Sequence, residues 1–221
     1  MTVTLYYLPL RARMENARLV LAYGNVAYDY VELSFAEWGV AKPLNEICNF
    51  NQLPAMKTEK GTVISQSGAI LRYCAKIAGC FPADIDEAAE ADMIVELTQE
   101  MNVINPLICY VPLGSDAYKE KHATYFGAFP AQIAAAQKIL GARTFYGGAK
   151  PNYGDFALFH ICESTELAAP GSLAPYPAIH AWYNAMSALP AVISYLAKRS
   201  NDKTPGFGVP NTHVVPGSVA V

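Results

Sequence analysis

The sequence predicts two domains, an α/β unit followed by an all-α unit. The chain has 221 residues, which is long for one compact core and sufficient for two. Over the first 80 residues, short β-branched and aromatic runs alternate with helical apolar spacing, and beyond them the spacing is helical. We therefore expect an α/β domain over residues 1–80, a linker over 81–87, an all-α domain over 88–200 and an extended tail over 201–221.

The N-terminal domain is predicted to follow the order β-α-β, a loop, then β-β-α. Its expected strands are Val3–Tyr7, Tyr28–Leu33, Pro54–Lys57 and Thr62–Ser65, and its expected helices are Met14–Tyr23 and Ser67–Ala78. Residues 34–51 lack a clear period and are expected to be irregular. Because a helix connects the first two strands, these strands should be parallel. A unit of this size and element order resembles a shortened version of the thioredoxin fold.

The second domain has helical apolar spacing that Pro and Gly interrupt. The expected helices are Ala88–Val111, Tyr118–Leu140, Gly154–Ala168, Ala178–Met186 and Val192–Lys198. Asn152 and Asp155 have the spacing of a helix capping box, so we expect both to be structural. Three prolines and three glycines follow Ser200 with little apolar periodicity, which predicts the extended tail.

Composition argues against several classes of function. The formal net charge is −3 and hydrophobic residues make up 52% of the chain, so no basic field exists for a nucleic acid backbone. No apolar run approaches the roughly 20 residues that cross a bilayer, and we expect no membrane partner. The chain starts at Met1 without a basic segment before an apolar stretch, which favours the cytoplasm over secretion.

The cysteines and histidines do not form a recognisable metal or disulfide pattern. The five cysteines are scattered and odd in number, namely Cys48, Cys74, Cys80, Cys109 and Cys162. The four histidines lack ligand spacing such as H-E-x-x-H. We therefore expect free thiols and no metal site.

Two short segments together have the features of a site for a small acidic peptide. Pro54 opens a strand and can adopt the cis isomer, which leaves the backbone of Leu53 available to an extended ligand. Gln66 and Ser67 stand at a predicted helix start, where free N–H groups and the helix dipole favour a carboxylate. An ordinary strand turn and an ordinary helix cap explain each segment equally well when it is taken alone.

A third segment makes the combination specific. Tyr7 ends the first predicted strand and stands four residues before Arg11-Ala12-Arg13. Together with the Leu53-Pro54 and Gln66-Ser67 pairs, it resembles the cytosolic glutathione transferases over residues 2–199. The likeness is to the tyrosine-type classes (alpha, mu, pi and sigma), with pi or sigma nearest. Because Tyr6 and Tyr7 face opposite sides of a strand, only one reaches the ligand, and Tyr7 matches the family's catalytic tyrosine.

The resemblance implies a glutathione site in the first domain. Leu53, between Gln52 and Pro54, would hold the cysteinyl backbone, and Gln66 and Ser67 would hold the γ-glutamyl carboxylate. A thiol with a pKa of about 8.5 is only a few per cent thiolate at neutral pH, so glutathione needs activation. The Tyr7 hydroxyl would supply it by donating a hydrogen bond to the sulfur.

Other implied contacts have ordinary structural alternatives. Arg13, Trp38 and Lys42 would lie near the glycyl end, although an arginine that caps a loop and a solvated lysine fit equally well. Glu100 would reach across a homodimer interface to the glutathione amino group, or would simply face solvent. The resemblance assigns the pocket for a small hydrophobic electrophile to Leu8, Leu10 and Tyr110, the last of which can equally be an interior aromatic.

The expected function is therefore conjugation of glutathione, used as a co-substrate without any further cofactor, to small hydrophobic electrophiles. Glutathione-dependent isomerisation or peroxide reduction would use the same thiolate with a different second pocket. A non-catalytic ligand-binding relative is also open. Its simplest sign in the sequence would be loss of the tyrosine or of the Gln-Ser pair, and this chain has both. A disulfide-exchange enzyme is disfavoured, since neither Cys nor Ser precedes Ser34.

Overall fold

The computed structural model describes residues 2–9, 11–41, 47–109, 111 and 114–200. Three of the residues singled out by sequence, Leu10, Lys42 and Tyr110, lie outside this part of the chain, as does the segment 201–221 that was expected to form a tail. Within the described residues, the N-terminal part combines a sheet with helices, and the rest is helical.

The sheet has four strands in the order β2-β1-β3-β4. Their bounds are β1 Val3–Tyr7, β2 Tyr28–Glu32, β3 Ala55–Lys57 and β4 Val63–Ser65. β1 is parallel to β2 and antiparallel to β3, which in turn pairs antiparallel with β4. The predicted parallel pairing of the first two strands is confirmed. Because β1 is central, its carboxyl end at Tyr7 lies in the middle of the sheet edge.

The helices of this domain are α1 (Glu15–Tyr23), α2 (Phe35–Ala41) and α3 (Ser67–Ile77), with a 3₁₀ turn at Ala12–Met14 before α1. The prediction that residues 34–51 are irregular is wrong for α2. This helix starts with a capping box, in which Ser34 Oγ accepts from the Glu37 N–H at 3.2 Å and the Glu37 carboxylate accepts from the Ser34 N–H at 2.7 Å.

The remaining helices are α4 Ile85–Met101, α5 Ile104–Cys109, α6 Asp116–Leu140, α7 Tyr153–Ala168, α8 Pro177–Ser187 and α9 Pro190–Ser200. Helix α4 begins inside the expected linker because the Asp84 carboxylate accepts from the N–H groups of Asp86 and Glu87. The expected single helix over 88–111 is wrong, since a turn separates α4 from α5. There the Asn105 side chain donates to Asn102 Oδ1 at 2.6 Å, a local bond that competes with the helix ladder.

Helix α7 is the centre of the helical domain and is buried along most of its length. It packs against α4 and α5 and also against α1 of the first domain. The predicted capping box at its start is confirmed, with Asn152 Oδ1 accepting from Gly154 N–H at 2.8 Å and Asp155 accepting from Asn152 N–H at 2.8 Å. The buried contact between α7 and α1 connects the two domains.

Two negative findings concern the described residues alone. None of their helices has the length and apolar character needed to cross a membrane. They also contain no group of three or more His, Cys, Asp or Glu side chains that could hold a metal ion.

Candidate active site

A cavity of about 510 Å³ opens at the carboxyl end of β1. Nine of the residues singled out by sequence line it, and Asn51 joins them. The lining residues are Tyr7, Leu8, Arg13, Trp38, Asn51, Gln52, Leu53, Pro54, Gln66 and Ser67. These residues come from the end of β1, the turn before α1, α2, the loop before β3 and the start of α3. We call this space the Tyr7 cavity.

Tyr7 is the most enclosed aromatic residue of this cavity, with 5% of its surface exposed. Burial alternates along β1, so Tyr6 faces the other side of the sheet and does not line the Tyr7 cavity. The backbone N–H of Arg13 donates a hydrogen bond to the Tyr7 phenolic oxygen at 3.2 Å. The ring therefore lies in the core, and the residue lines the cavity.

The turn that carries Arg13 is held by both neighbouring helices of the second domain. Arg11 is buried and pairs with Glu163 of α7 at 3.3 Å, and the Arg13 guanidinium donates to Gln99 Oε1 of α4 at 2.7 Å. Between them, Ala12 has a φ of 31°, in the left-handed region that is unfavourable for residues other than glycine. Contacts with the second domain therefore hold this turn in an unfavourable backbone conformation.

The backbone of Leu53 is available to a ligand. The Leu53-Pro54 peptide bond is cis, and β3 begins one residue later at Ala55. Across the described part of the chain, neither the N–H nor the C=O of Leu53 forms a hydrogen bond with another backbone group. Both groups can therefore pair with an extended peptide laid along the cavity.

The start of α3 forms the opposite wall of the cavity. Gln66 has a φ of 75° and precedes the helix, and its side chain does not cap the helix N-terminus. The first N–H with an intrahelical partner belongs to Ile70, which donates to the Gln66 carbonyl at 3.0 Å. The N–H groups of the first turn, the Ser67 hydroxyl and the positive end of the helix dipole are groups that favour an anion. The Gln66 amide donates to Gln52 Oε1 at 3.4 Å across this wall.

The match to known families agrees with this geometry. Residues 1–76 match the family model of the glutathione S-transferase N-terminal domain, and residues 107–199 match that of the glutathione S-transferase C-terminal domain. The chain belongs to the glutathione S-transferase family. The mixed sheet followed by a helical domain, which sequence predicted, is the architecture of this family.

Relatives of this glutathione S-transferase family member cover nearly the whole chain. Glutathione S-transferase P of Homo sapiens is 26% identical over 198 residues, which span 88% of this chain and 91% of that protein. Hematopoietic prostaglandin D synthase of Gallus gallus is 29% identical over 198 residues, 88% of this chain and 95% of that protein. Among solved structures, a pi-class glutathione S-transferase of Onchocerca volvulus has a TM-score of 0.82 at 25% identity and covers 96% of this chain and all of that one.

Two lining residues of this transferase-like cavity depend on features that sequence reasoning missed. Trp38 is on α2 rather than in an irregular loop, and the S-x-x-E spacing of Ser34 and Glu37 is the signal that predicts this helix. Asn51 was not singled out. Its φ of 52° is a conformation that asparagine tolerates better than most residues, so an Asn before Gln52 is consistent with a tight turn into the cavity.

Glu100 is apart from the other site residues of this family member. It is exposed on α4 and does not line the Tyr7 cavity in the described residues. Two buried thiols of the sheet domain are unsuited to act as nucleophiles, because burial raises the pKa of Cys74 and of Cys80 to about 12. The chemical groups of the site are therefore a tyrosine hydroxyl, a helix N-terminus and the unpaired backbone of Leu53.

Proposed function

We propose that this enzyme conjugates the thiolate of glutathione to small hydrophobic electrophiles and that the Tyr7 hydroxyl activates the thiol. The observation that carries the proposal is the Tyr7 cavity itself. It has a buried tyrosine at its floor, the unpaired backbone of Leu53 on one side and the N-terminus of α3 on the other.

The binding of glutathione follows from the groups on the two walls. The γ-glutamyl carboxylate would accept hydrogen bonds from the first turn of α3 and from Ser67, near Gln66. The cysteinyl residue would pair with the Leu53 backbone as an added strand. Arg13 and Trp38 would face the glycyl end. This arrangement brings the cysteine sulfur towards Tyr7 at the end of β1.

The activation step is a hydrogen bond from the Tyr7 hydroxyl to the sulfur. The Arg13 N–H already donates to the Tyr7 oxygen at 3.2 Å, and this polarisation strengthens the hydroxyl as a donor. A hydrogen bond to a charged group contributes about 1.5–3 kcal/mol, which lowers the thiol pKa by about one to two units. Thiolate then becomes the major form near neutral pH, and the cavity orients it towards the electrophile.

The second substrate is expected beside Leu8, with Leu10 and Tyr110 as further proposed contacts. A glutathione-dependent isomerase is the second candidate function, since one relative is named hematopoietic prostaglandin D synthase at 29% identity. Peroxide reduction and non-catalytic ligand binding would use the same glutathione site. These alternatives differ in what happens to glutathione.

Retention on immobilised glutathione, followed by assay with 1-chloro-2,4-dinitrobenzene, tests the proposal. A transferase consumes one glutathione for each conjugate formed. An isomerase returns glutathione unchanged, a peroxidase converts it to the disulfide, and a binding protein retains it without turnover. Binding without any conjugate would contradict the proposed reaction, and absence of binding would contradict the proposed site.

We further propose that the protein is a cytoplasmic homodimer that needs no metal or cofactor besides glutathione as co-substrate. Four described cysteines are buried free thiols, which suits a reducing compartment. Met93 and Glu100 are both exposed on α4 and are seven residues apart, so they lie on one face of the helix. A partner on this face would bury Met93 and receive the Glu100 carboxylate near its own glutathione.

A further inference from the structure

Glu163 of α7 joins helix α9 to the turn of residues 11–13, which we call the Arg13 turn. One carboxylate oxygen of Glu163, Oε2, accepts from Arg11 Nη1 at 3.3 Å and from Arg199 Nη1 at 3.1 Å. The other oxygen, Oε1, accepts from Arg199 Nη2. All three side chains are largely enclosed, with 5% of Arg11, 11% of Arg199 and 15% of Glu163 exposed. A single carboxylate therefore holds a cation of the turn and a cation of α9.

Glu15 makes a second connection between the same elements. Its backbone N–H donates to the Arg11 carbonyl at 3.2 Å, which joins the turn to the start of α1. Its buried carboxylate accepts from Arg199 at 2.5 Å and from Arg18 at 2.6 Å. Burial alone would raise the pKa of Glu15, but Arg18 and Arg199 lower it well below its usual range. This carboxylate therefore stays ionised at neutral and alkaline pH, where a glutathione thiol is titrated.

The backbone of the Arg13 turn explains why such contacts matter. The φ of Ala12 is 31°, a conformation that persists in a residue other than glycine where surrounding contacts hold it. On one side of Ala12, Arg11 is held by its buried ion pair with Glu163. On the other side, Arg13 donates to Gln99 Oε1 at 2.7 Å in an exposed hydrogen bond. Because the exposed bond is weakened by competition with water, we expect the buried ion pair to dominate.

The same turn carries the backbone group that contacts the proposed activating hydroxyl. The Arg13 N–H lies 3.2 Å from the Tyr7 phenolic oxygen. Ordinary N–H···O hydrogen bonds span about 2.7–3.2 Å, so a small outward shift of the turn would break this one. The groups proposed to hold the glutathione peptide, at Leu53 and Ser67, lie before β3 and at the start of α3. Movement of the turn would therefore affect the hydroxyl and leave the peptide contacts in place.

We propose that Glu163 and Arg199 are positioning residues for activation of the glutathione thiol, a role that rests on the proposed function of Tyr7. Glu163 holds the Arg13 turn through Arg11, and Arg199 holds Glu163 in place. Within the described residues, neither Glu163 nor Arg199 lines the Tyr7 cavity. Helix α9 thus contributes to the reaction through the turn, at a distance from the bound substrate.

Glu163→Gln in the full-length protein separates positioning from a direct effect of charge, because the two have opposite signs. Removal of a negative charge by itself favours a thiolate, so a purely electrostatic role would lower the pKa of bound glutathione. Release of the turn would weaken the hydrogen bond from Tyr7 and raise that pKa. We expect a rise of about 0.5–1 unit, less than for loss of the whole hydroxyl, and turnover near neutral pH lower by about three- to tenfold.

Two measurements make this result specific. Ultraviolet titration of the bound thiolate gives the pKa, and calorimetry with S-methylglutathione, which lacks the thiol, gives the affinity for the peptide. We expect the affinity of Glu163→Gln for S-methylglutathione to stay within about twofold of the wild type, since the proposed peptide contacts are unchanged. A loss of affinity equal to the loss of turnover would overturn the proposal, because it would mean that Glu163 acts on peptide binding.

Glu166→Gln is the matched control for a merely structural role. Glu166 is also half-buried on α7, and its carboxylate accepts from the N–H groups of Gly171 at 2.8 Å and Leu173 at 2.7 Å. Its replacement should lower the free energy of unfolding and leave the thiol pKa unchanged. An equal rise of the thiol pKa in Glu163→Gln and Glu166→Gln would overturn the proposal, because general loosening of α7 would then explain both.

Arg199→Lys provides a second test, which also serves if Glu163→Gln fails to fold. Lysine keeps the charge but lacks the planar fork that bridges two carboxylates, so a rise in the thiol pKa would report lost geometry. Tyr7→Phe is measured alongside. If Tyr7→Phe raises the pKa, an unchanged or lowered pKa in Glu163→Gln, or in Arg199→Lys if the former does not fold, overturns this inference alone. If Tyr7→Phe leaves the pKa unchanged, the proposed function fails and this inference fails with it.

Discussion

The backbone N–H of Arg13 donates a hydrogen bond to the phenolic oxygen of Tyr7 at 3.2 Å. The turn that makes this contact is anchored on the second domain by Arg11 with Glu163 and by Arg13 with Gln99. The position of the proposed activating hydroxyl therefore depends on both domains. A change that loosens the contact between the domains should therefore impair activation of the thiol more than it impairs binding of the glutathione backbone.

Tyr7→Phe removes the proposed donor while its ring still fills the core, so the fold should survive. The pKa of bound glutathione should rise by about one to two units, because a hydrogen bond to the charged sulfur contributes about 1.5–3 kcal/mol. Turnover near neutral pH should fall about ten- to a hundredfold, with little change in glutathione affinity. Ultraviolet titration of the thiolate measures the pKa. Tyr6→Phe is the matched control, and an unchanged pKa in Tyr7→Phe would show that another group activates the thiol.

Ser67→Ala should weaken glutathione binding and leave turnover at saturation nearly unchanged. The hydroxyl and the first N–H groups of α3 are the proposed partners of the γ-glutamyl carboxylate, and a hydrogen bond to a charged group contributes about 1.5–3 kcal/mol. Calorimetry should therefore show affinity lowered by about tenfold or more. Thr62→Ala, at the exposed turn before β4, is the control. Equal loss of turnover and affinity would mean that Ser67 acts on the reacting sulfur instead.

The proposed dimer predicts a molecular mass of about twice 23.9 kDa by light scattering. Met93 has 55% of its surface exposed on the α4 face that carries Glu100, so Met93→Glu should lower the mass towards that of a monomer. Ile193→Glu, which changes an equally exposed side chain on α9, should leave the dimer intact. Glu100→Ala should weaken glutathione binding without dissociating the dimer. A fully active wild-type monomer would remove the proposed role of Glu100.

Asp155→Asn should destabilise the helical domain. The Asp155 carboxylate accepts hydrogen bonds from the N–H groups of Tyr146, Gly147 and Asn152 and from the Trp182 indole, at 2.8–3.2 Å. An amide has only one acceptor oxygen, so two donors would face an NH₂ group. Each unsatisfied buried group costs about 1–3 kcal/mol, and denaturant unfolding should show a loss of about 2–5 kcal/mol. Asn152→Ser, which keeps a capping oxygen, should lose much less.

His160 should make the folded state sensitive to acid. Burial lowers its pKa from 6.5 to about 4, while Glu15 and Glu163 oppose this shift. Because the folded pKa is the lower one, the stabilisation is present above pH 6.5 and is lost as the pH falls towards 4, by about 3 kcal/mol. His160→Leu should flatten this part of the stability profile. A variant profile parallel to the wild type would contradict this assignment.

Asp155 has the opposite effect on the pH dependence of stability, and it is present in both the wild type and His160→Leu. Burial raises its pKa to about 6 despite its four hydrogen bonds, so its contribution is present at low pH and is lost as the pH rises from 3.8 towards 6. The difference between the wild type and His160→Leu cancels this effect. Unfolding by urea at several pH values therefore measures the effect of His160, together with its coupling to Glu15, without that of Asp155.

Local patterns were sufficient for most elements of the fold. The β-branched and aromatic run Val3–Tyr7 predicted β1, and the helix between the first two strands predicted their parallel pairing. The Asn152-Asp155 spacing predicted the start of α7. The two wrong predictions, an irregular segment in place of α2 and a single helix over 88–111, came from short-range hydrogen bonds that the spacing of apolar residues does not reveal. Ser34 and Glu37 cap the start of α2, and Asn102 bonds Asn105 where the expected long helix is interrupted.

The sequence by itself determined the family, the two-domain order and most of the residues that line the Tyr7 cavity, because these depend on contacts within short segments and on a motif of fixed spacing. Only the tertiary structure decided which residues far apart in the chain pair with one another. Arg11 and Glu163 are 152 positions apart in the chain, and Arg199 reaches Glu15 across 184. No local pattern encodes such pairs, since burial and charge pairing at this separation arise only when α7 and α9 pack on α1.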